Sequence, residues 1–323
     1  MLNQMEKSNL RIIFMGTPGF AVASLEKLVN EKYNVVAVVT VPDKPAGRGQ
    51  KLQESEVKQF AFANNIPVLQ PEKLKSPDFI EQLKSFQPDL QIVVAFRMLP
   101  EIVWQLPPFG TFNLHGSLLP QYRGAAPINR AVMSGEKKTG VTTFFLQHKI
   151  DTGNIIFREE ISIGEDETAG DVHDRMMMTG AELVTKTVDA IAEKKYPEIP
   201  QSSLVKPGEV IHEASKIFRE DCKIDWNLPG KKIHDHIRGL SPYPAAWTNL
   251  YSENETEVML KIYRAAFIPS IHSNENGTIL EDLTVAVQDG IIRILEVQAP
   301  GKKKMPAADF LRGFTIKNGD RLG

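Results

Sequence analysis

The first half of the chain alternates short apolar runs with segments of helical periodicity, and this alternation restricts the fold more than any other feature. The clearest run, at residues 34–40 (NVVAVVT), has no polar residue inside it. Such a run is typical of a parallel strand that is buried on both faces. Further runs at 11–16, 66–69, 89–96 and 111–115 are separated by helical segments. Repeated strand–helix units predict an α/β domain with a Rossmann-like, doubly wound and mostly parallel sheet.

Length and composition divide the chain into two parts. The 323 residues are enough for two domains, since a domain has about 100–200 residues. Residues 195–210 contain three prolines and no apolar periodicity, which predicts a linker. Beyond the linker, short strand-like stretches between turn residues are typical of a small β-barrel or sandwich. We therefore expect an N-terminal α/β domain over 1–194 and a smaller, OB-like C-terminal β-barrel over 211–323.

Charge and cysteine content exclude several classes of protein. The 38 Lys and Arg residues against 40 Asp and Glu give a net charge of −2, so no global basic field indicates nucleic acid, although basic residues can still cluster locally. One cysteine, Cys222, excludes an internal disulfide framework and a cysteine-rich metal site. No apolar run approaches the ~18 residues of a membrane span, and the N-terminal residues lack signal-peptide and transit-peptide features. We expect a cytoplasmic protein without a membrane partner.

The first strand-to-helix loop carries no nucleotide-binding motif. It reads Gly16-Thr17-Pro18-Gly19, which matches neither GxGxxG nor a Walker A motif. Pro18 stands where the dinucleotide fingerprint needs its second glycine. The loop is interpreted as a tight turn, and a dinucleotide cofactor is disfavoured.

The strand at 111–115 (TFNLH) ends in residues that can perform chemistry. Asn113 and His115 are two apart, so their side chains point to one face of the strand. Gly116 ends the strand at the edge where open α/β sheets bind ligands. An amide beside an imidazole suits a carbonyl carbon that becomes tetrahedral, because both groups can donate to the developing oxyanion. By spacing alone, a structural histidine beside a turn-capping asparagine is the more common arrangement.

A longer string decides between these two interpretations. Residues 115–128 (HGSLLPQYRGAAPI), together with Asp151 in the context KIDTGNII, resemble the folate-dependent formyltransferase superfamily. The resemblance extends from the first strand to the end of the chain. It implies that Asn113, His115 and Asp151 form the catalytic set. It also implies 10-formyltetrahydrofolate as the formyl donor and no metal, because the amine of the acceptor is itself the nucleophile.

The resemblance also implies where the folate binds. In the family the folate ring lies beside the catalytic string, in a pocket built partly from main-chain atoms. The residues expected to form its walls are Ser117, Leu118, Leu119 and Pro120 in one turn, and Phe96, Arg97 and Met98 in another loop. The second loop departs from the tyrosine–glycine pair of many relatives, which puts side-chain contacts there in doubt.

Two further stretches indicate the branch of the family that formylates methionyl initiator tRNA. Residues 41–52 (VPDKPAGRGQKL) resemble the loop with which that branch reaches the tRNA, and residues 294–313 resemble its second domain. Lysine and arginine side chains in both stretches offer positive charge for phosphates. The residues expected to bind tRNA are Lys44, Arg48, Lys51, Lys302, Lys303 and Lys304. The resemblance thus implies methionyl initiator tRNA as a partner, and we expect a monomer.

Three other functions stay open from the sequence. A formyltransferase for a sugar nucleotide or another small amine would share the catalytic string but would lack the stretches at 41–52 and 294–313. A folate hydrolase or dehydrogenase module would use water in place of the amine, and it normally comes with an additional domain. A non-catalytic RNA-binding protein on the same scaffold would not need an intact set of Asn113, His115 and Asp151.

The remaining candidate groups are interpreted as structural. His234 and His236 are two apart on a predicted helix, where such residues do not share a face, so they are not expected to form a metal pair. Cys222 has no cysteine partner and lies outside the catalytic string.

Overall fold

A computed structural model describes residues 9–46, 51–252, 257–317 and 320–323. The helices are α1 (Gly19–Asn30), α2 (Glu56–Ala63), α3 (Pro77–Ser85), α4 (Glu101–Trp104), α5 (Pro127–Met133), α6 (Ala169–Ala192), α7 (Gly230–Leu240) and α8 (Ala307–Gly313). The strands are β1 (Ile12–Gly16), β2 (Val35–Val39), β3 (Lys44–Ala46), β4 (Lys51–Gln53), β5 (Val68–Leu69), β6 (Leu90–Val94), β7 (Thr111–His115), β8 (Arg123–Gly124), β9 (Lys138–Phe145), β10 (Ile155–Ser162), β11 (Glu213–Ala214), β12 (Ala246–Tyr251), β13 (Glu257–Pro269), β14 (Thr284–Val287), β15 (Gly290–Gln298), β16 (Met305–Pro306) and β17 (Arg321–Leu322). None of the helices in these ranges is long and apolar enough to cross a membrane.

The chain forms two compact units that are not simple halves of the sequence. Unit 1 consists of Met1–Gly124, Gly140–Ile161 and His173–Glu213, and unit 2 consists of Ala125–Thr139, Ser162–Val172 and Ala214–Gly323. Helix α5 belongs to unit 2 because it packs on α7, where the Asn129 side chain donates to the carbonyl oxygen of Gly239 at 2.8 Å. The domain boundaries at 194 and 211 were predicted from composition, and composition carries no information on packing between helices. They stay a prediction.

Unit 1 is built on a seven-stranded sheet with the strand order β10-β9-β7-β6-β1-β2-β5. The pairs β1–β2, β1–β6, β2–β5 and β6–β7 are parallel, and β7–β9 is antiparallel. Every residue of β1 and of β6 is buried, as expected for central strands that are covered on both faces. The predicted doubly wound, mostly parallel sheet is confirmed.

A short connection follows β1. Only Thr17 and Pro18 separate the strand from α1. A Cβ at Gly16 would lie 2.6 Å from the Cβ of Ala21 on α1, so this position must be glycine for the helix to approach the strand end. The turn therefore serves close packing of the helix against the strand.

Unit 2 carries a nearly closed, barrel-like antiparallel sheet with the order β14-β15-β13-β12-β17, and β16 pairs with β15. Helix α7 packs against this sheet with Ile233, Ile237 and Leu240, which recur at helical spacing and are buried. Burial of an aliphatic side chain of this size contributes roughly 1.5–3 kcal/mol relative to exposure. The predicted β-barrel of the C-terminal part is confirmed.

Helix α7 also buries an ion pair in unit 2. Arg238 Nε donates to Asp235 Oδ1 at 2.7 Å, and Lys231 Nζ donates to the same oxygen at 2.6 Å. Burial would raise the pKa of Asp235, but the hydrogen bonds from the positively charged Lys231 and Arg238 outweigh it and hold that pKa well below its usual value. His234 on the same helix is 5% exposed, which agrees with its structural interpretation.

Candidate active site

Asn113 and His115 lie on β7, and strand alternation directs both side chains to one face near the carboxyl end of the strand. His115 is 6% exposed, and its ring meets that of Phe144 edge-on with the centroids 6.5 Å apart. Asn113 is partly exposed, and within the described ranges its carboxamide has no hydrogen-bond partner. The amide is therefore available to a ligand.

The backbone determines which ring nitrogen of His115 carries a proton. Nε2 lies 2.8 Å from the carbonyl oxygen of Tyr122. A carbonyl oxygen can only accept a hydrogen bond, so Nε2 carries a hydrogen in the neutral and in the protonated ring alike. Nδ1 is consequently the nitrogen that remains for a substrate or a carboxylate.

Asp151 brings a carboxylate to Nδ1 of His115 from the turn after β9. The distance from Asp151 Oδ2 to His115 Nδ1 is 3.8 Å, which is within reach of an ion pair but longer than a hydrogen bond. The same oxygen accepts a hydrogen bond from the backbone N–H of Gly124 at 3.0 Å. The Asp151 side chain is 15% exposed. The carboxylate and the imidazole therefore face each other with little water around them.

The turn that carries Asp151 contains two special backbone positions. Asp151 has a φ of +53°, in the left-handed region that Asp tolerates better than most residues. A Cβ at Gly153 would lie 1.6 Å from the carbonyl oxygen of Phe145, so no side chain fits there. These two requirements explain the Asp-Thr-Gly sequence of the turn.

Gln201, which the sequence did not predict as a site residue, holds this turn in place and is bound in turn by Arg123. Gln201 is 3% exposed, and its Nε2 donates to the carbonyl oxygens of Asp151 at 2.8 Å and Gly153 at 2.9 Å. Its Oε1 accepts from Nε and Nη2 of Arg123 at 2.9 and 2.6 Å. Gln201 comes from the proline-containing stretch 195–210, where composition gives no indication of a buried side chain. The only available signal was the position of Arg123 inside the string at 115–128.

The turn predicted as one wall of the folate pocket is held through buried polar contacts. The Ser117 hydroxyl is buried and donates to the carbonyl oxygen of Gln121 at 2.6 Å. Leu119 is buried, and its N–H donates to Thr142 Oγ1 at 3.1 Å. Pro120 is buried as well, whereas Leu118 is partly exposed. The Ser117 hydroxyl is thus engaged within the protein.

The loop predicted as the other wall has one engaged and one exposed side chain. Arg97 donates through Nη2 to the carbonyl oxygen of Pro71 at 2.8 Å, and its guanidinium lies 5.3 Å from the ring centre of Phe96. Met98 is 77% exposed. Arg97 therefore braces the loop, and Met98 is accessible to a ligand.

The basic residues predicted to bind tRNA fall in both units. Lys44 is exposed on β3, which pairs with β4, the strand that contains Lys51. Arg48 lies outside the described residues. Lys302, Lys303 and Lys304 are exposed between β15 and β16 of unit 2, and Lys304 Nζ lies 2.9 Å from Glu296 Oε2. The three lysines of unit 2 thus present charge to solvent, part of which Glu296 neutralises.

Two further kinds of chemistry, at a metal ion and at a thiol, depend on histidine, cysteine and carboxylate side chains. In the part of the chain that the structure describes, no group of three or more His, Cys, Asp or Glu residues is placed to hold a metal ion. Cys222 is buried, burial raises the pKa of its thiol, and Sγ donates to the carbonyl oxygen of Phe218 at 3.2 Å. This environment agrees with a structural cysteine.

The sequence matches known families and proteins over nearly its full length. Residues 10–188 match the family Formyl transferase, and residues 216–315 match Formyl transferase, C-terminal domain. A Methionyl-tRNA formyltransferase of Bacteroides fragilis is 54% identical over 316 residues, which are 97% of this chain and 97% of that protein. The Methionyl-tRNA formyltransferase of Parabacteroides distasonis is 55% identical over 315 residues, 96% of this chain and 97% of that protein.

Solved structures share the fold at lower identity. A sugar 3N-formyl transferase, WlaRD, solved with dTDP and 5-N-formyl-THF, has a TM-score of 0.63 at 22% identity and covers 91% of this chain and 99% of its own. HypX from Aquifex aeolicus in complex with tetrahydrofolic acid has a TM-score of 0.63 at 16% identity, covering 96% of this chain and 48% of its own. At such identities the likeness establishes the fold alone.

Proposed function

The chain belongs to the formyl transferase family and transfers a formyl group from a folate donor to methionyl-tRNA, and we propose that Asn113, His115 and Asp151 carry out this transfer. The donor in this proposal is 10-formyltetrahydrofolate, and the acceptor is the α-amino group of methionine on initiator tRNA. The observation that carries it is the unengaged Asn113 amide on the same strand face as His115, whose Nδ1 lies 3.8 Å from Asp151 Oδ2.

The first step is the attack of the neutral amine on the formyl carbon. As the new carbon–nitrogen bond forms, the electrons of the carbonyl double bond move to oxygen and give an oxyanion. The Asn113 amide and the protonated Nδ1 of His115 can both donate to that oxygen, because Nε2 is the ring nitrogen engaged by Tyr122. Donors of this kind stabilise the tetrahedral intermediate more than the planar formyl group.

Asp151 orients His115 and assists the movement of protons. Its carboxylate, 3.8 Å from Nδ1, attracts the protonated ring, and at this burial the attraction is stronger than in bulk water. The intermediate collapses when the bond between the formyl carbon and N10 breaks and N10 gains a proton. The amine loses one proton in the same reaction, so a water beside Asp151 can pass the proton on without net uptake or release.

The two parts of the chain have separate roles in this proposal. Residues 1–194 bind the folate, catalyse the transfer and contact the tRNA through the 41–52 stretch. Residues 195–210 connect the two parts, and residues 211–323 bind tRNA. Phosphates of the tRNA are bound by Lys44, Arg48, Lys51, Lys302, Lys303 and Lys304. No metal takes part, since the amine is the nucleophile, and the protein acts as a cytoplasmic monomer.

A competition assay tests the function. Purified protein is mixed with 10-formyltetrahydrofolate and radiolabelled methionyl initiator tRNA, with elongator methionyl-tRNA and nucleotide-linked amino sugars as competing acceptors. We expect formyl-methionyl-tRNA from the initiator alone. Transfer only to an amino sugar would keep the Asn113–His115–Asp151 mechanism and reject the tRNA acceptor. Binding of tRNA without any turnover would reject the enzymatic proposal.

The role of the 41–52 stretch can be separated from folate binding. Arg48→Ala should raise the KM for tRNA and leave the KM for the folate unchanged, because it removes one phosphate contact. Lys73→Ala, which removes an exposed lysine elsewhere in unit 1, is the matched control. An equal loss of affinity for both substrates would show that Arg48 supports the fold instead.

A further inference from the structure

We propose that Gln201 is a positioning residue for the formyl transfer, because it ties the turn that carries Asp151 to the loop that holds His115. This inference rests on the proposed roles of His115 and Asp151. Within the described ranges, Gln201 makes no hydrogen bond to either of these side chains. It acts through the backbone of the Asp151 turn and through Arg123.

All hydrogen-bonding atoms of the Gln201 carboxamide are engaged. Its NH₂ group donates to the carbonyl oxygens of Asp151 and Gly153, which are the residues on either side of the turn centre at Thr152. Its oxygen accepts two hydrogen bonds from the Arg123 guanidinium. Gln201 is only 3% exposed, so its carboxamide has little water to bond to in place of these partners. The complete pairing therefore holds the side chain in one orientation and restrains the groups bonded to it.

Arg123 passes this restraint to His115. The preceding residue, Tyr122, accepts the hydrogen bond from His115 Nε2, and the following residue, Gly124, donates its N–H to Asp151 Oδ2. The side chain between these two contacts is the one that Gln201 holds. The two members of the His115–Asp151 pair are therefore connected through one short loop, and that loop and the turn share Gln201 as an anchor.

The anchor is itself fixed to the sheet of unit 1. Two residues before Gln201, the backbone of Ile199 exchanges two hydrogen bonds with Ile155, at 2.9 and 3.0 Å. Ile155 is the first residue of β10. Gln201 thus reaches the Asp151 turn from a strand edge, and the proline-containing segment 195–210 does more than connect two parts of the chain.

Glutamine meets these requirements at position 201, whereas glutamate and alanine do not. Glutamate would keep the acceptor for Arg123 and form a charged pair with it, but it would lose both donors and face two carbonyl oxygens with a carboxylate. Alanine would leave the two carbonyl oxygens and the guanidinium without their partner. In both cases the turn loses the two hydrogen bonds that Gln201 donates to its backbone. We therefore expect Asp151 to shift relative to Nδ1 of His115.

The consequence is expected in the rate constant of the chemical step. A displacement of about 1 Å in a catalytic group costs roughly 10²-fold in rate. Gln201→Glu and Gln201→Ala should therefore lower kcat about 10- to 100-fold. The KM values for the folate and for tRNA should stay within about twofold, since no proposed substrate contact is altered.

The experiment compares these variants with two references in steady-state assays on the full chain. Tyr33→Phe removes a different side-chain hydrogen bond of unit 1, the one that the Tyr33 hydroxyl donates to Asp189 Oδ1 at 2.7 Å. Tyr33 precedes β2 and so lies at the amino edge of the parallel strands, opposite the catalytic edge. It controls for general loss of stability, which thermal melting measures for every variant. Asp151→Asn controls for the proposed mechanism.

A fall in kcat at constant KM in both Gln201 variants, with Tyr33→Phe unaffected, would support the positioning role. If the Gln201 variants behave like Tyr33→Phe, or if KM rises in step with the loss of kcat, the inference is overturned. If Asp151→Asn retains full activity, the proposed mechanism fails instead. Should the Gln201 variants not fold, Arg123→Lys keeps the charge but loses the two-point contact. We then expect Arg123→Lys to lower kcat at constant KM, by less than the fall expected for the Gln201 variants. An unchanged kcat would overturn the inference.

Discussion

At the scale of single residues, the candidate site is defined by which polar atoms are already engaged. His115 Nε2 and the Ser117 hydroxyl are both committed to backbone carbonyl oxygens. The Asn113 amide and His115 Nδ1 are the groups that can meet a substrate. Residue types alone would have given Ser117 and Asn113 equal standing as donors, and the hydrogen-bond pattern separates them.

The Asn113 amide is expected to contribute most of its effect in the transition state. Asn113→Ala should lower kcat by about 10²–10³-fold, the usual cost of removing one oxyanion donor. Asn113→Asp keeps the shape but loses the donor, so it should be at least as slow. Single-turnover formylation of methionyl-tRNA measures the step directly. Asn64→Ala, which removes an exposed asparagine at the end of α2, serves as the control, and full activity of Asn113→Ala would reject the assigned role.

At the scale of elements, the site combines one strand with two loops. The apolar pattern and the terminal glycine predicted a strand over 111–115, and β7 has those bounds. The Asp151 turn depends on contacts that no local pattern encodes, namely the close approach of Gly153 to Phe145 and the two donors of Gln201. A strand follows from its own residues, whereas this turn follows from what surrounds it.

Gly153 is expected to be intolerant of any side chain. Gly153→Ala would place a Cβ on the Phe145 carbonyl oxygen, so the turn must shift and carry Asp151 with it. We expect a fall in kcat of about 10²-fold and a loss of stability of about 1–3 kcal/mol, measured by formylation kinetics and urea unfolding. Gly313→Ala, where nothing lies within 4 Å of the added Cβ, is the matched control. Unchanged kcat in Gly153→Ala would contradict this account of the turn.

At the scale of the whole molecule, acid is expected to weaken unit 2 through a buried histidine. The pKa of His236 is lowered, mainly because the ring is buried and also because Arg130 is nearby. A backbone hydrogen bond at Cys222 acts in the opposite direction but does not outweigh burial. Nε2 of His236 is buried with no hydrogen-bond partner in the described ranges. The folded chain therefore resists binding a proton that the unfolded chain accepts below about pH 6.5.

Because the unfolded state binds more protons, the free energy of unfolding falls as the pH falls below about 6.5. Well above that pH, His236 is neutral in both states and costs the fold no stability. The slope from one group is at most about 1.4 kcal/mol per pH unit. Urea unfolding at about pH 7.5 and 5.5, followed by tryptophan fluorescence, should show this loss. Trp104→Phe removes the tryptophan of unit 1, so that the signal comes from Trp226 and Trp247 of unit 2. His236→Gln should reduce the difference, and an identical pH dependence would show that His236 is not its source.

The sequence by itself determined the sheet of unit 1, the β-barrel of unit 2 and the family, because apolar periodicity and the string at 112–128 are local properties of the chain. It also gave Asn113, His115 and Asp151 as candidates, since a long motif keeps the order of its residues. The tertiary structure alone decided which nitrogen of His115 is free, that Ser117 faces inward, and that Gln201 anchors the Asp151 turn. It also decided that residues 125–139 and 162–172 pack with the C-terminal part of the chain. Each of these depends on hydrogen bonds or packing between residues far apart in the sequence, and such contacts leave no mark on the local pattern at either end.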